Sequence, residues 1–420
     1  MNSKSSSPVL QPDLKVDGDR LWQSLMEMAR IGATPAGGCN RQALSDEDKA
    51  GRDLFSEWCR EIGCELRVDR MGNIFAIRRG ENSELPPLMV GSHLDTQPTG
   101  GRFDGVYGVL AGLEVLRTLH AGARSTKHDI ELVVWTNEEG ARFSPAMIGS
   151  GVWAGVFKID EAHAIKDKQG RSLGEELARI GYAGEEEAQA RRLSAALEVH
   201  IEQGPILEDE GRQIGVVGGV QGMRWYDITV EGEPCHAGPT PMGMRKDPFM
   251  VVPAIMTGVY DLAEKYKDAA RVTIGDIKAD PGVRNTVPQQ VTFTLDMRHP
   301  DQEILDSMDA ELRRLVEQQC SPKQLIGSVR EEWNSPAVVF DSRCVDAVRQ
   351  SVNGLGIKSM EMVSGAGHDS VYVSRVAPTA MIFVPCEGGL SHCETENAKP
   401  ADLAAGCDVL LHTLLLLDEG

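Results

Sequence analysis

Residues 88–139 read LMVGSHLDTQPTGGRFDGVYGVLAGLEVLRTLHAGARSTKHDIELVVWTNEE. An apolar run at 88–90 leads into Gly91-Ser92-His93-Leu94-Asp95, and a second run at 130–135 leads into Thr136-Asn137-Glu138-Glu139-Gly140. Between them Val109, Leu113, Leu116 and Leu119 repeat at helical spacing, which predicts a helix over 106–119. Strand, helix, strand in this order implies two parallel strands with the helix packed on one face. Ligands of open α/β sheets gather at the carboxyl ends of the strands, which is where His93, Glu138 and Glu139 fall.

Working outward, Leu21, Leu25 and Met28 share a helical face over 20–31, and Ser45 to Asp48 resembles a capping box ahead of Leu54, Trp58 and Ile62. Short strand-like runs follow at 65–78. After the glycine-rich run from Gly215 to Gly222 the rhythm changes to strand (225–231), helix (247–266), two strands (271–279, 289–298), helix (302–319) and strand, a β-α-β-β-α-β unit. Beyond Trp333 to Pro336 the pattern returns to a helix near 341–353, strands near 359 and 379, and a helix from 400. The expected fold is α/β: a mostly parallel sheet between helices, split into segments 1–218 and 333–420 by an inserted α+β domain at 219–332. No internal repeat or low-complexity stretch interrupts it.

A hydrophobic content of 41% with 25% charged residues is that of an ordinary globular chain, neither disordered nor built for lipid. With 43 basic and 63 acidic residues the formal charge is −20, a field that repels nucleic acid and anionic lipid and suits divalent cations. The start, MNSKSSSPVLQPDLKV, lacks a signal-peptide core, and no apolar run is read as a membrane span, so the expected location is the cytoplasm. The 9 cysteines contain no CxxC pair and read as reduced thiols.

Candidate chemistry sits at the turns. His93 ends a strand, and Asp95 two residues on is placed to accept the proton of its other ring nitrogen and so fix the tautomer. Asp104 lies in the glycine-rich turn Gly100 to Gly105; taken alone it reads equally as a helix N-cap. Adjacent strand-end side chains point apart, so Glu138 and Glu139 offer a general base and a ligand from one dipeptide. In Leu197 to Gly204, Leu197, Val199 and Ile201 alternate with His200, which is a ligand or a structural histidine. His392 follows the apolar run 381–384 and two glycines. His93, Asp104, Glu139, His200 and His392 form a set of N and O donors suited to two borderline divalent ions (Zn, Mn, Co or Ni) sharing a carboxylate, with Cys393 a competing donor. Cys235 beside His236 lacks the third partner of a nucleophilic pair. His120, His128, His163 and His412 are expected at the surface.

Taken in order from Gly91 to Glu394, the stretches GSHLDTQPTGGRFDG, WTNEEGARF, EVHIEQGP, CHAGPTPM, RNTVP, DMRHP, SGAGHD and GLSHCE resemble the hydantoinase/carbamoylase branch of the aminoacylase and carboxypeptidase type of two-metal hydrolases. The resemblance implies that His93, Asp104 and His200 hold one metal, that Asp104, Glu139 and His392 hold the other, and that Glu138 is the general base. It implies further that the insert is a lid and homodimerisation domain, with His236 acting in the partner subunit's site and Asn285 and Arg298 holding the substrate. Gln203, Gly365 and His368 are expected in the pocket. Pro288-Gln289-Gln290 departs from the family, which often has glycine after the proline.

The implied substrate is a small N-carbamoyl-L-amino acid or N-carbamoyl-β-alanine, hydrolysed at the carbamoyl C–N bond. The alternatives on the same fold are an allantoate amidohydrolase and an aminoacylase or peptidase, with Gln97 to Phe103 favouring the carbamoyl group of enzymes. A catalytically silent binding protein would be marked by loss of Glu138 or a ligand, and none is lost.

Overall fold

The computed structural model describes residues 13–419. The chain divides into two compact units, one formed by the residues up to Gly219 together with those from Val339, the other by Val220–Val338.

The first unit is built on a mixed sheet. Its order is Glu65–Val68, Ile74–Arg78, Ile130–Trp135, Leu88–His93, Ala195–Ile201, Thr379–Val384, Ile214–Val220 and the short Val338–Val339, with Ser359–Ser364 also pairing with Ile214–Val220. The four central strands run parallel, with Leu88 opposite Ile130, His93 opposite Trp135, and Phe383 opposite His200. The flanking pairs are antiparallel. Each of the four central strands is buried along its whole length, as parallel strands covered on both faces must be. The alternation read over 197–204 is therefore not an in-and-out pattern: His200 and its apolar neighbours alike are buried.

Helices Gly18–Met28, Val106–Ala121, Ser342–Leu355 and Pro400–Glu419 pack together beside this sheet. By length and composition Pro400–Glu419 is an exception to the expectation of no apolar run long enough to span a bilayer, but 67% of its apolar window is buried within the protein. It is a core helix. The Ser45 hydroxyl caps Asp46–Glu61 by accepting from the Asp48 N–H at 3.1 Å. The reciprocal half of a capping box is absent, because the Asp48 carboxylate instead accepts from the Leu44 N–H and from buried Arg52.

The second unit is a sheet of order Ile277–Asp280, Gln290–His299, Gly222–Glu231, Ile326–Ser335, with Arg271–Thr273 also pairing with Gln290–His299. Helices Val252–Glu264 and Gln302–Cys320 cover one face, burying Ile255, Val259, Leu305, Met308 and Leu312 against Tyr226, Ile228, Phe293 and Leu295. Here burial does alternate along Gln290–His299, the mark of a sheet covered on one side. The run expected as one strand over 271–279 is two short strands, because Ile274-Gly275-Asp276 leaves the ladder and Asp276 bonds Thr294 instead.

Candidate metal centre

All five expected ligands belong to the first unit, and each is delivered by a strand end or by the turn that follows one. His93 closes Leu88–His93, His200 lies one residue from the end of Ala195–Ile201, and Glu139 follows Ile130–Trp135. Asp104 precedes helix Val106–Ala121, and His392 sits in the loop after Thr379–Val384. Gly105, at φ 66°, lets the Asp104 turn pass beside His93, where a Cβ would come within 2.3 Å of the imidazole.

Asp104 is the hub. Its Oδ1 lies 3.2 Å from His200 Nε2 and 3.8 Å from His93 Nε2, while its Oδ2 lies 3.2 Å from His392 Nε2. Glu139 Oε2 is 3.5 Å from the same His392 nitrogen. The donor atoms thus form two groups, His93/Asp104/His200 and Asp104/Glu139/His392, each with its members within 4.8 Å of one another. The two groups share Asp104 through different oxygens.

The histidine tautomers suit cation binding. His93 Nδ1 meets the Asp95 carbonyl at 2.9 Å and His200 Nδ1 meets the Ile201 carbonyl at 2.9 Å. With Nδ1–H donated to a carbonyl, Nε2 is the nitrogen that faces Asp104 and that a cation would take once its proton is released. Asp95 thus meets the His93 Nδ1 as expected, but through its backbone carbonyl; its carboxylate is 4.0 Å from that nitrogen and accepts from the Glu138 and Glu139 backbone N–H groups, each at 3.2 Å. Asp95 holds the Glu138–Glu139 turn.

The charges fit a cation. Among the described residues the ion-pair partners of Asp104, Glu138 and Glu139 are imidazoles. Burial would raise Asp104, but hydrogen bonds from His200 and His392 outweigh it and hold the carboxyl well below its usual range. Burial opposes charge on His200 as well, yet the bond to Asp104 carries it up to about 9. His392 is raised to about 9 first by its own bond to Asp104. Burial, reinforced by Asp104, pushes Glu139 up to about 8, and burial pushes His93 down to about 4. The same N and O donors, once deprotonated, are those a divalent ion would take.

Glu138 is buried with Oε2 at 3.5 Å from His93 Nε2. Burial, with Asp369 and Glu139 nearby, raises it well above the ordinary carboxyl range. Gln203 donates to Asp104 Oδ2 at 2.9 Å, and its Oε1 is buried with no partner among the described residues. His368 is buried edge-on against His200, with ring centroids 4.6 Å apart, and its Nε2 bonds Ser364 Oγ at 2.9 Å. Gly365 is exposed on the same loop. Asn137, Gln203 and His392 all adopt left-handed φ values, of 59°, 59° and 57°, the local strain that clusters at functional turns.

Sequence reasoning missed two supports. Gln97 binds the Glu139 carboxylate twice, through its N–H at 3.1 Å and its side-chain amide at 2.7 Å. Glu396 accepts from the Asp104 N–H at 3.1 Å and from Ser391 Oγ at 2.9 Å. A glutamine after His93-Leu94-Asp95 and a carboxylate four residues past His392 were the available signals. Two of the four histidines expected at the surface are buried: His412 bonds the Leu14 carbonyl and His128 the Pro86 carbonyl.

The remaining candidates lie in the second unit. His236 and Asn285 are neighbours on a two-stranded ribbon, where His236 pairs with Thr286 and the Ala237 N–H donates to the Asn285 carbonyl at 2.9 Å. That ribbon continues from the sheet end at which Glu231 pairs with Gln290. Arg298 pairs with Met223 at the opposite end and grips Asp296 through two bonds of 2.8 Å. The structure joins His236 to Asn285 and separates Arg298 from both.

Residues 89–416 match peptidase family M20/M25/M40. An N-carbamoyl-L-amino-acid amidohydrolase from Rhizobium meliloti is 48% identical over 401 residues, 96% of each chain. An allantoate amidohydrolase from Bacillus subtilis is 35% identical over 93% of this chain and 95% of its own. The crystal structure of a hydantoinase/carbamoylase family amidase from Burkholderia multivorans superposes with a TM-score of 0.93 at 50% identity, covering 97% of this chain and 100% of that one.

Proposed function

The chain belongs to peptidase family M20/M25/M40, and from that premise we propose that it is a metal-dependent amidohydrolase cleaving the carbamoyl C–N bond of N-carbamoyl-L-amino acids or N-carbamoyl-β-alanine. The observation that carries this reading is the bridging geometry of Asp104, whose two oxygens face two separate sets of imidazole and carboxylate donors with Glu138 alongside. His93, Asp104 and His200 would hold one divalent ion and Asp104, Glu139 and His392 a second, from among Zn, Mn, Co and Ni. Bound there, such ions supply Lewis acidity for attack on the carbamoyl carbon.

Glu138 takes a proton from the attacking water and passes it to the departing nitrogen, which leaves as ammonia. The carbamate that remains loses CO2 to give the amino acid. Gln203, with a buried oxygen lacking a partner, is placed to receive a substrate N–H. Gly365 and His368 are read as further pocket residues, His368 on the strength of its contact with His200. All nine cysteines are free, which suits action in a reducing cytoplasm.

His236, Asn285 and Arg298 are read as substrate-handling groups of a homodimer. Eight residues of strand separate Gln290 from Arg298, which at the ordinary rise is about 26 Å. One copy of this unit therefore cannot offer all three to one small substrate, which supports His236 and Asn285 serving a partner subunit and Arg298 binding a carboxylate as a planar fork. Ammonia release from a panel of N-carbamoyl-L-amino acids, N-carbamoyl-β-alanine, allantoate and N-acetyl amino acids tests the proposal. Turnover of carbamoyl compounds is expected; turnover of allantoate alone would replace it with the reading that the Bacillus subtilis relative supports.

A further inference from the structure

Two loops that carry metal-ligand candidates meet at one carboxylate. Glu396 is 1% exposed. Its Oε1 accepts from the Phe103 N–H at 2.9 Å and the Asp104 N–H at 3.1 Å, and its Oε2 accepts from Ser391 Oγ at 2.9 Å. Ser391 Oγ lies 3.0 Å from Asp104 Oδ2 as well, so the same hydroxyl touches the bridging carboxylate and its support. The Glu396 backbone N–H closes a turn onto the Cys393 carbonyl at 3.1 Å, tying it to the segment that presents His392.

Gly101 clears the way for this contact. A Cβ there would sit 2.0 Å from the Glu396 carboxyl carbon, too close for any rotamer adjustment of a side chain held by three hydrogen bonds. His392 needs such a support, since it lies outside any helix or strand, at φ 57°, with its side chain 52% exposed.

We propose that Glu396 is a positioning residue, a strut joining the turn that carries Asp104 to the loop that carries His392 and so setting the spacing of the Asp104/Glu139/His392 half of the cation site. It acts through its hydrogen bonds and not through its charge. Supports of this kind typically change metal affinity 10–100-fold, because a displaced ligand must be brought back at the expense of binding. The proposal rests on reading these residues as a cation site, and the experiment separates the two.

Chelator-stripped wild type, Glu396→Ala, Glu396→Gln and Gly101→Ala proteins are titrated with Zn2+ against a chromophoric chelator, a readout independent of turnover. Failure of the wild type to bind Zn2+ would overturn the cation site itself. With wild type binding two ions per chain, Glu396→Ala is expected to weaken the second by about 10–100-fold while the first changes less. Glu396→Gln keeps an oxygen for the two N–H groups and an amide for Ser391, so it should stay within about fivefold of wild type. Unchanged affinity in a folded Glu396→Ala protein, or a Gln variant as impaired as the Ala variant, would refute the strut. Should Glu396→Ala not fold by circular dichroism, Gly101→Ala decides: it displaces the same carboxylate and must weaken the second ion more than the first.

Discussion

Replacing Asp95 by asparagine separates two roles that the position can have. Its carboxylate, 1% exposed, accepts from the N–H groups of Glu138 and Glu139, each at 3.2 Å. Asparagine keeps one carbonyl oxygen and turns an NH2 toward the other N–H, leaving one buried donor unpaired, a loss of about 1–3 kcal/mol. Alanine leaves both unpaired, about 2–6 kcal/mol. The bond from His93 Nδ1 goes to the Asp95 backbone carbonyl and survives both changes.

The cost of the asparagine variant also depends on pH. Burial, with Asp48 nearby, pushes the Asp95 carboxyl from 3.8 up to about 7. A carboxyl raised on folding gives stability that is full below its unfolded value and lost as pH rises through the folded one. Wild type carries that slope between pH 3.8 and about 7 and the asparagine variant does not, so the variant's deficit is larger at pH 6 than at pH 9. Urea unfolding of chelator-stripped proteins at the two pH values measures this. Unchanged stability at pH 6, with a loss of metal affinity confined to the His93 group, would mean that the carboxylate orients His93 after all.

Glu138→Gln should retain metal and lose at least about 10²-fold in kcat, whereas Glu139→Gln should lose one ion; identical metal content in the two variants would dissolve the division of labour. Zn2+ binding at pH 7.5 should release protons, because His200 and His392, raised to about 9, and Glu139, raised to about 8, must give theirs up. Affinity should accordingly fall from pH 9 to pH 6. Calorimetry in buffers of different ionisation enthalpy measures the release, and buffer-independent heats would contradict it. Mixing inactive Glu138→Gln and His236→Ala subunits should restore up to about a quarter of wild-type activity, since half of randomly paired dimers are mixed and each has one intact site. No recovery after verified exchange would place His236 outside the partner's site.

Four of the five candidate ligands were legible because each lies at or after a run of apolar residues that reads as a buried strand, and strand ends are where an α/β sheet presents side chains; Asp104, in a glycine-rich turn that reads equally as an N-cap, was picked out by the company it keeps. What holds them was not. Glu396 and Asp104 are 292 positions apart in the chain. The partner of Asp95 is a backbone N–H, which leaves no trace in residue type. His412 looked like a helix-surface histidine because the segment whose Leu14 carbonyl covers it lies at the other end of the sequence. The separation of Arg298 from Asn285 is visible only once the register of Gln290–His299 is known.

A metal titration of activity tests the two-ion site most directly. Protein stripped by chelation should release no ammonia from an N-carbamoyl-L-amino acid, and stepwise Mn2+ should restore turnover up to two equivalents per chain, with Asp104→Ala recovering nothing at any Mn2+ level. Full turnover by protein shown to be metal-free by elemental analysis would contradict it.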